Sequence, residues 1–218
     1  RSKSNGNFWY RVAGLTLILV SGLRYKVGGD TLAYFDFFDS YPLITELKGY
    51  DFLNSRWDPM WVVISSISKS IFNDFTFFQL IHSIFINVVI FRFIKQNTQF
   101  KFTAVLVYYL FFYLYFNTEI MRESLAVSMF LLAYPYFKQK QWLKYYCLAI
   151  IAFLFHSSAI VTLLFPVFRY IAFSKKSVII LLGVFVLLNM ATYIIPSALN
   201  FLLVSDRLSG RFEIYSEL

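Results

Sequence analysis

From residue 75 to residue 195 the sequence passes through one apolar run after another, and the polar turns between them are too short to be domains. The runs cover 75–93, 102–116, 119–137, 142–155, 158–170 and 177–195. Lipid offers no hydrogen bonds, so such runs satisfy their backbone only as helices or as a closed barrel. No barrel-like alternation of apolar and polar residues is present, which leaves helices. Composition agrees: 59% of residues are hydrophobic, 15% are charged and the mean hydropathy is +0.62. Soluble domains are about 45–50% apolar and about 25% charged. The expectation is an all-α fold, a polytopic integral membrane helical bundle of about seven transmembrane helices plus interfacial or re-entrant helices. A single transmembrane domain over 1–218 is expected. The chain begins at Arg1 rather than Met and stops in a polar segment, which reads as a piece truncated at one or both ends.

Charge sets the orientation. Basic turns at Arg92, Lys95 and Lys101, at Lys138, Lys140 and Lys144, and at Arg169, Lys175 and Lys176 fall on every second loop. The positive-inside bias puts them in the cytoplasm. The turns at 117–122 and 155–158 then face outward. Arg1, Lys3 and Arg11 put the N-terminus inside, before a short apolar run at 9–23. That makes 24–58 an extracytoplasmic loop, with an amphipathic segment at 31–44. An odd number of crossings must separate this loop from the turn at 92–101, and 75–93 supplies one. The stretch 59–72 therefore does not cross fully, or it pairs with another partial element. At about 1.5 Å per residue it covers only about 20 Å, which fits a re-entrant or tilted interfacial helix.

The net charge of +8 is explained mostly by these turns, so no nucleic-acid partner is expected. The surplus suits anionic lipid or a phosphate-bearing substrate. The lone Cys147 excludes a disulfide framework within this chain and a cysteine-based zinc site. No metal or other cofactor is expected.

The outward ends of the runs hold the candidate chemistry. Arg24, Lys26 and Asp30 follow the first run, Arg122 and Glu123 open another, and His156 closes a third. Ionisable residues at membrane depth are costly and are by default functional candidates. Two or three cations, two carboxylates and one imidazole suit a diphosphate held by arginine forks beside a general base. Arg24, Lys26 and Arg122 are the candidate diphosphate-binding residues, and His156, Asp30 and Glu123 the candidate catalytic ones. Plainer roles stand beside these. Asp30 is placed to cap a helix starting at Thr31. Arg24 and Lys26 suit snorkelling flanks. Arg122 and Glu123 point about 100° apart on a helix and need different partners. The small residues Ala126 and Ala133 on the Arg122 face make a packing seam with Met129. His82 reads as structural, and the serines at 65–70 as polar packing.

Three patterns together carry a resemblance. Arg24-Tyr25-x-x-Gly-x-Asp30 with Tyr34, then Met121-Arg122-Glu123-Ser124-Leu125-Ala126, then Phe155-His156-Ser157-Ser158-Ala159 resemble the EpsG family of Wzy-like exopolysaccharide polymerases. The family usually has Gln where this chain has Glu123. The resemblance covers roughly 10–170 and implies a multi-pass protein of the bacterial inner membrane. It implies an enzyme that joins polyprenyl-diphosphate-linked oligosaccharide repeat units into a surface polysaccharide. Its partners would be the polyprenyl-diphosphate-linked glycan, the lipid bilayer and other polysaccharide-assembly proteins. Three other functions fit a helical membrane protein with outward charges. One is a transporter or flippase of lipid-linked glycan, though no inverted repeat is visible. Another is a membrane acyltransferase, though no Asp or second His pairs with His156 in the sequence. The third is a non-catalytic subunit of an assembly complex.

Overall fold

The computed structural model describes residues 3–52, 54–170 and 174–194. Every regular element among them is a helix, as the apolar runs require. The elements are α1 (Lys3–Gly22), α2 (Gly29–Phe38), α3 (Pro59–Ile71), α4 (Phe75–Asn97), α5 (Lys101–Tyr108), α6 (Met121–Lys138), α7 (Trp142–Phe155), α8 (Ile160–Leu164) and α9 (Lys175–Ile194). The described chain forms two compact units. The second holds the 3₁₀ turn Phe165–Tyr170 and α9. There the Ser174 hydroxyl caps α9, accepting the Ser177 N–H at 3.1 Å. The C-terminal segment 200–218, expected as interfacial or loop, lies outside the described residues. The packing and the site described below belong to the first unit, built from residues up to Phe52 and from Trp57–Leu164.

Among the described residues one helix, Phe75–Asn97, is long and apolar enough to cross a membrane. Shorter apolar helices cover Lys101–Tyr113, Trp142–Phe155 and Ser157–Arg169. The shortening has visible causes. After Tyr108 the α5 run loosens into π-helical turns, Tyr109–Tyr113 and Tyr115–Glu119. The run after Ser157 is broken by 3₁₀ turns.

Helix α1 packs on α4 through groups that satisfy one another. Tyr10 donates to the Phe91 carbonyl at 2.7 Å, and Ser83 to that of Ile18 at 2.9 Å. Helices α6 and α7 bury Ala126, Ala133, Ala149 and Ala152, small residues of the kind that let helix backbones approach closely. The π-helical exit of α5 is pinned by a closed triangle of buried side chains. Tyr108 donates to Asn87 Oδ1 at 3.0 Å, Asn87 to Asn117 Oδ1 at 3.2 Å, and Asn117 to the Tyr108 hydroxyl at 3.3 Å.

Helix α3 has 13 residues and opens as its sequence dictates, with Pro59 in the first turn. The segment 39–44 holds it along its length. Trp61 donates to the Tyr41 hydroxyl at 2.7 Å. Lys69 donates to the carbonyls of Asp39 and Tyr41, and the Ser70 hydroxyl accepts the Ile44 N–H at 2.9 Å. The helix therefore lies alongside that one segment from its first turn to its last.

Helix α2 differs from the sequence expectation. It begins at Gly29, with Gly28 as its N-cap, so Asp30 lies within the first turn instead of capping it. The cap comes from across the fold. Glu119 Oε1 accepts the Gly29 N–H at 3.0 Å and Oε2 that of Asp30 at 3.3 Å. Gly28 makes this docking possible. It sits at φ +104°, and a Cβ there would lie 2.7 Å from Thr118 Cβ. Gly28→Ala is expected to destabilise the protein by about 1–3 kcal/mol, the usual cost of a strained backbone. Gly49→Ala, where a Cβ meets open space, should be near neutral. Thermal unfolding of the two purified variants in detergent compares them, and equal midpoints would remove the docking argument.

Candidate functional site

Two clusters meet at one end of the first unit. The first is the segment after α1. Its Arg24 side chain folds back on its own turn. The guanidinium donates to the carbonyls of Ser21 and Val27 and to the Thr31 hydroxyl, and it lies 3.6 Å from Met121 Sδ. Burial pulls the Arg24 pKa down to about 10, with Tyr113 and Glu119 working the other way, so the group stays cationic at neutral pH. Gln79 fixes the preceding backbone, donating to the carbonyls of Gly22 and Arg24. Thr31 donates to the Thr118 carbonyl at 2.6 Å. Lys26 is exposed, at φ +51°, with its ammonium 4.6 Å from the centre of the Phe35 ring. Asp30 is exposed on the first turn of α2.

The second cluster brings together three chain segments. Ile120 leaves helical geometry (φ −100°, ψ +52°), so α6 restarts at Met121 and Arg122 falls in its first turn. A cation there is opposed by the positive end of the helix dipole. The compensation comes from Asp58, whose Oδ2 accepts from Arg122 Nη1 at 2.8 Å. Trp57 lies under the guanidinium, 5.0 Å from ring centre to Cζ. Helix α7 ends at Phe155 because His156 is extended, at φ −157° and ψ +130°. That break turns its imidazole toward the same carboxylate, with Nδ1 3.6 Å from Asp58 Oδ2. The Asp58 side chain is 8% exposed, against 20% for Arg122 and 21% for His156. Arg122 Nε and His156 Nδ1 are buried without a hydrogen bond. Tyr34, buried on α2, interacts with the Arg122 guanidinium; burial raises its pKa and Arg122 opposes the rise. Its hydroxyl is therefore protonated at neutral pH and available as a donor.

Met121 joins the clusters. Its sulfur touches Arg24, its carbonyl takes a hydrogen bond from His82 Nε2 at 3.0 Å, and Arg122 is the next residue. A carbonyl only accepts, so His82 carries its proton on Nε2.

The fold thus collects Arg122 and His156 around one carboxylate, with Arg24 one residue away through Met121. Glu123 is half-buried and makes no hydrogen bond or ion pair among the described residues. Two residues that matter here escape the sequence argument. Asp58 precedes a proline at a helix start, which reads as a cap, yet its side chain makes no capping bond. The available signal is Trp57-Asp58-Pro59 at the junction of a loop and α3. The same pairing supplies the Asp partner for His156 that the sequence alone does not reveal. Glu119, in the turn before Arg122, is the other.

A family model matches residues 7–218, essentially the whole chain, and describes the EpsG family. The chain belongs to the EpsG family. Neither a curated protein nor a solved structure matches it. Membership places it among membrane proteins of polysaccharide biosynthesis. In this EpsG-family chain the three motifs Arg24–Tyr34, Met121–Ala126 and Phe155–Ala159 fall on the docked segment, the start of α6 and the end of α7.

The Asp58–Arg122 pair is expected to couple in stability. Asp58→Ala strands a partly buried guanidinium and should cost about 1–3 kcal/mol, as for other unpaired buried groups. Asp58→Asn, which can still accept from Arg122, should cost less. In a double-mutant cycle with Arg122→Ala the two losses should fall short of adding by about 0.5 kcal/mol or more. Additive losses in chemical unfolding would mean the ion pair does not bind the two helices together.

Proposed function

We propose that this EpsG-family protein is a membrane-embedded polymerase. It would join polyprenyl-diphosphate-linked oligosaccharide units at the Asp58–Arg122–His156 cluster, on the extracytoplasmic side of the bacterial inner membrane. The observation that carries the reading is the imidazole and guanidinium converging on one buried carboxylate at the start of α6, where backbone N–H groups and the helix dipole favour an anion.

In the proposed step a sugar hydroxyl of one repeat unit attacks the anomeric carbon of a lipid-linked chain. The bond from that carbon to the diphosphate oxygen breaks, and the lipid diphosphate leaves with the electron pair. His156 accepts the hydroxyl proton on Nε2, which has no partner among the described residues, while Asp58 faces Nδ1 and steadies the imidazolium that forms. Arg122, held by one nitrogen to Asp58, turns its remaining donors to the developing negative charge on the leaving group. Tyr34 and Trp57, both buried, back the Arg122 guanidinium and hold it in place. Arg24 and Lys26 add positive potential. Asp30 and Glu123 are the alternative proton acceptors. About seven crossings, with α3 lying in the interface, complete the topology.

With purified protein and a defined lipid-linked repeat unit, His156→Gln should keep substrate binding and lose about a hundredfold or more in turnover, the usual contribution of a general base. Wild-type rates from about pH 5.5 to pH 8, around the ordinary imidazole value of about 6.5, would make His156 structural. Arg122→Lys should lose most activity although the charge is kept, because an ammonium lacks the planar fork. Unchanged polymer length and yield would remove Arg122 from the diphosphate. For orientation, Tyr25→Cys should label from outside and Leu143→Cys from inside, both in a Cys147→Ser background. These side chains are highly exposed, and labelling of both from one side would overturn the topology.

A further inference from the structure

Beneath α3 lies an apolar trough of about 280 Å³, walled by α3, α4, α6 and the end of α7. Its lining is almost wholly hydrocarbon. Three of its lining residues neighbour the charged cluster along the chain. Asp58 stands two residues before Met60, which lines the trough. Arg122 stands one helical turn before Leu125, on the same face of α6. His156 directly follows Phe155. Met60, Leu125 and Phe155 all line the cavity, so each charged residue of the cluster stands within three residues of one that lines the trough. The trough is open where Ile67, Ile71 and Ile81 are exposed. From Met60 to Ile71 the trough follows α3 for about 16 Å, at about 1.5 Å per residue.

We propose that this trough seats the head-proximal isoprene units of the polyprenyl diphosphate, with the diphosphate at the Arg122 end. The inference rests on the reading of the substrate as lipid-linked, but not on the chemistry done to it. An amphipathic ligand with an anionic head and an apolar tail matches a channel that is cationic at one end and hydrocarbon along its length. Arg122 Nε, buried and without a partner, is a donor still free for the head. Size selects between lipids. Ligand cavities usually hold about 300–1,000 Å³, and this one falls just below that range. It has room for the first part of one chain, whereas a diacyl phospholipid brings two chains to its head. The rest of the carrier leaves past Ile67, Ile71 and Ile81 into the bilayer. A short helix tied along its length to one loop roofs the trough, so the chain enters sideways from lipid without passing through the bundle.

The test uses the full chain in nanodiscs and a sugar-free, long-chain polyprenyl diphosphate carrying a photoreactive group on its first isoprene units. Mapped by mass spectrometry, crosslinks to wild-type protein should fall on α3, α4 and α6 around Ile64, His82 and Met129. Excess phosphatidylglycerol should not displace them. Ile64→Trp and Met129→Trp narrow the trough from two sides and should weaken binding of the long-chain diphosphate by about tenfold or more, against about 1.4 kcal/mol per decade. Binding of inorganic diphosphate should stay unchanged, as should all binding in the exposed control Leu143→Trp. Crosslinks mapping elsewhere, or displacement by phosphatidylglycerol, would overturn the proposal even if the tryptophan variants fail to fold. Unaltered long-chain affinity in well-folded tryptophan variants would also overturn it. The polymerase reading fails separately: carrier bound in the trough without any polymer formed leaves the trough standing. Normal polymerisation by well-folded tryptophan variants removes the trough and leaves the polymerase.

Discussion

One carboxylate oxygen holds the polar end of this bundle together. Asp58 Oδ2 meets the Arg122 guanidinium at 2.8 Å and the His156 imidazole at 3.6 Å. The start of α3, the start of α6 and the end of α7 are thereby referred to a single atom. The arrangement is costly in isolation. Arg122 stands at the helix end where the dipole opposes a cation, and Asp58 is nearly excluded from water. Each charge offsets the desolvation of the other, so neither is tolerable alone. Trp57 covers one face of the guanidinium and Tyr34 brings α2 to it. The interaction is therefore a positioning device first, and any chemistry of His156 inherits its geometry.

A second set of contacts makes that device part of the wider fold. Glu119 caps α2 across a long stretch of chain, and Gly28 lies against Thr118 where no side chain fits. Thr31 closes the same contact from α2. Met121 is where the two sets meet, with its sulfur on Arg24, its carbonyl on His82 and its chain neighbour on Asp58. A shift of the docked segment would pass to Arg122 through one residue. This physical link joins motifs that lie far apart in the chain.

Much of this arrangement is legible in the amino-acid sequence, and the rest is hidden there for identifiable reasons. Apolar run length and end signals mark out 142–155 and 59–72 nearly as α7 and α3 stand, and 75–93 falls short of the end of α4 by one helical turn. These boundaries depend on local properties: Pro59 at a helix start, Asp74 as the N-cap of α4, and basic residues where runs stop. Arg122 and His156 are legible because an ionisable group at a span end is conspicuous among apolar neighbours. Asp58 is not, because an Asp before a proline has a sufficient local explanation. Its real partners are set by how α3, α6 and α7 pack. Glu119 escapes for a similar reason. The π-helical turn that carries it cannot be told from a loose loop by periodicity, and the neighbouring Glu123 is the more conspicuous carboxylate. Asp30 is misplaced by one local rule, since a residue suited to capping does not cap when a better acceptor arrives from another helix.

The same geometry bears on what kind of machine this is. A transporter must open its binding site to each side in turn, which requires elements around the site with two stable arrangements. Catalysis asks for the reverse, side chains held to within about 0.5 Å of one geometry. Directly behind the docked turn, Asn87, Tyr108 and Asn117 close a triangle in which every side chain both gives and takes a hydrogen bond. Asn117 also holds the Tyr113 carbonyl, and the Tyr113 hydroxyl reaches back to Leu17 on α1. A fully satisfied buried network of this kind rigidifies its surroundings, and parting it in a low-dielectric interior leaves several orphaned groups at once. A pathway opening between α1, α4 and the α5 exit would have to break it. The balance of physical costs therefore favours a site that stays assembled. That is the behaviour the proposed polymerase needs.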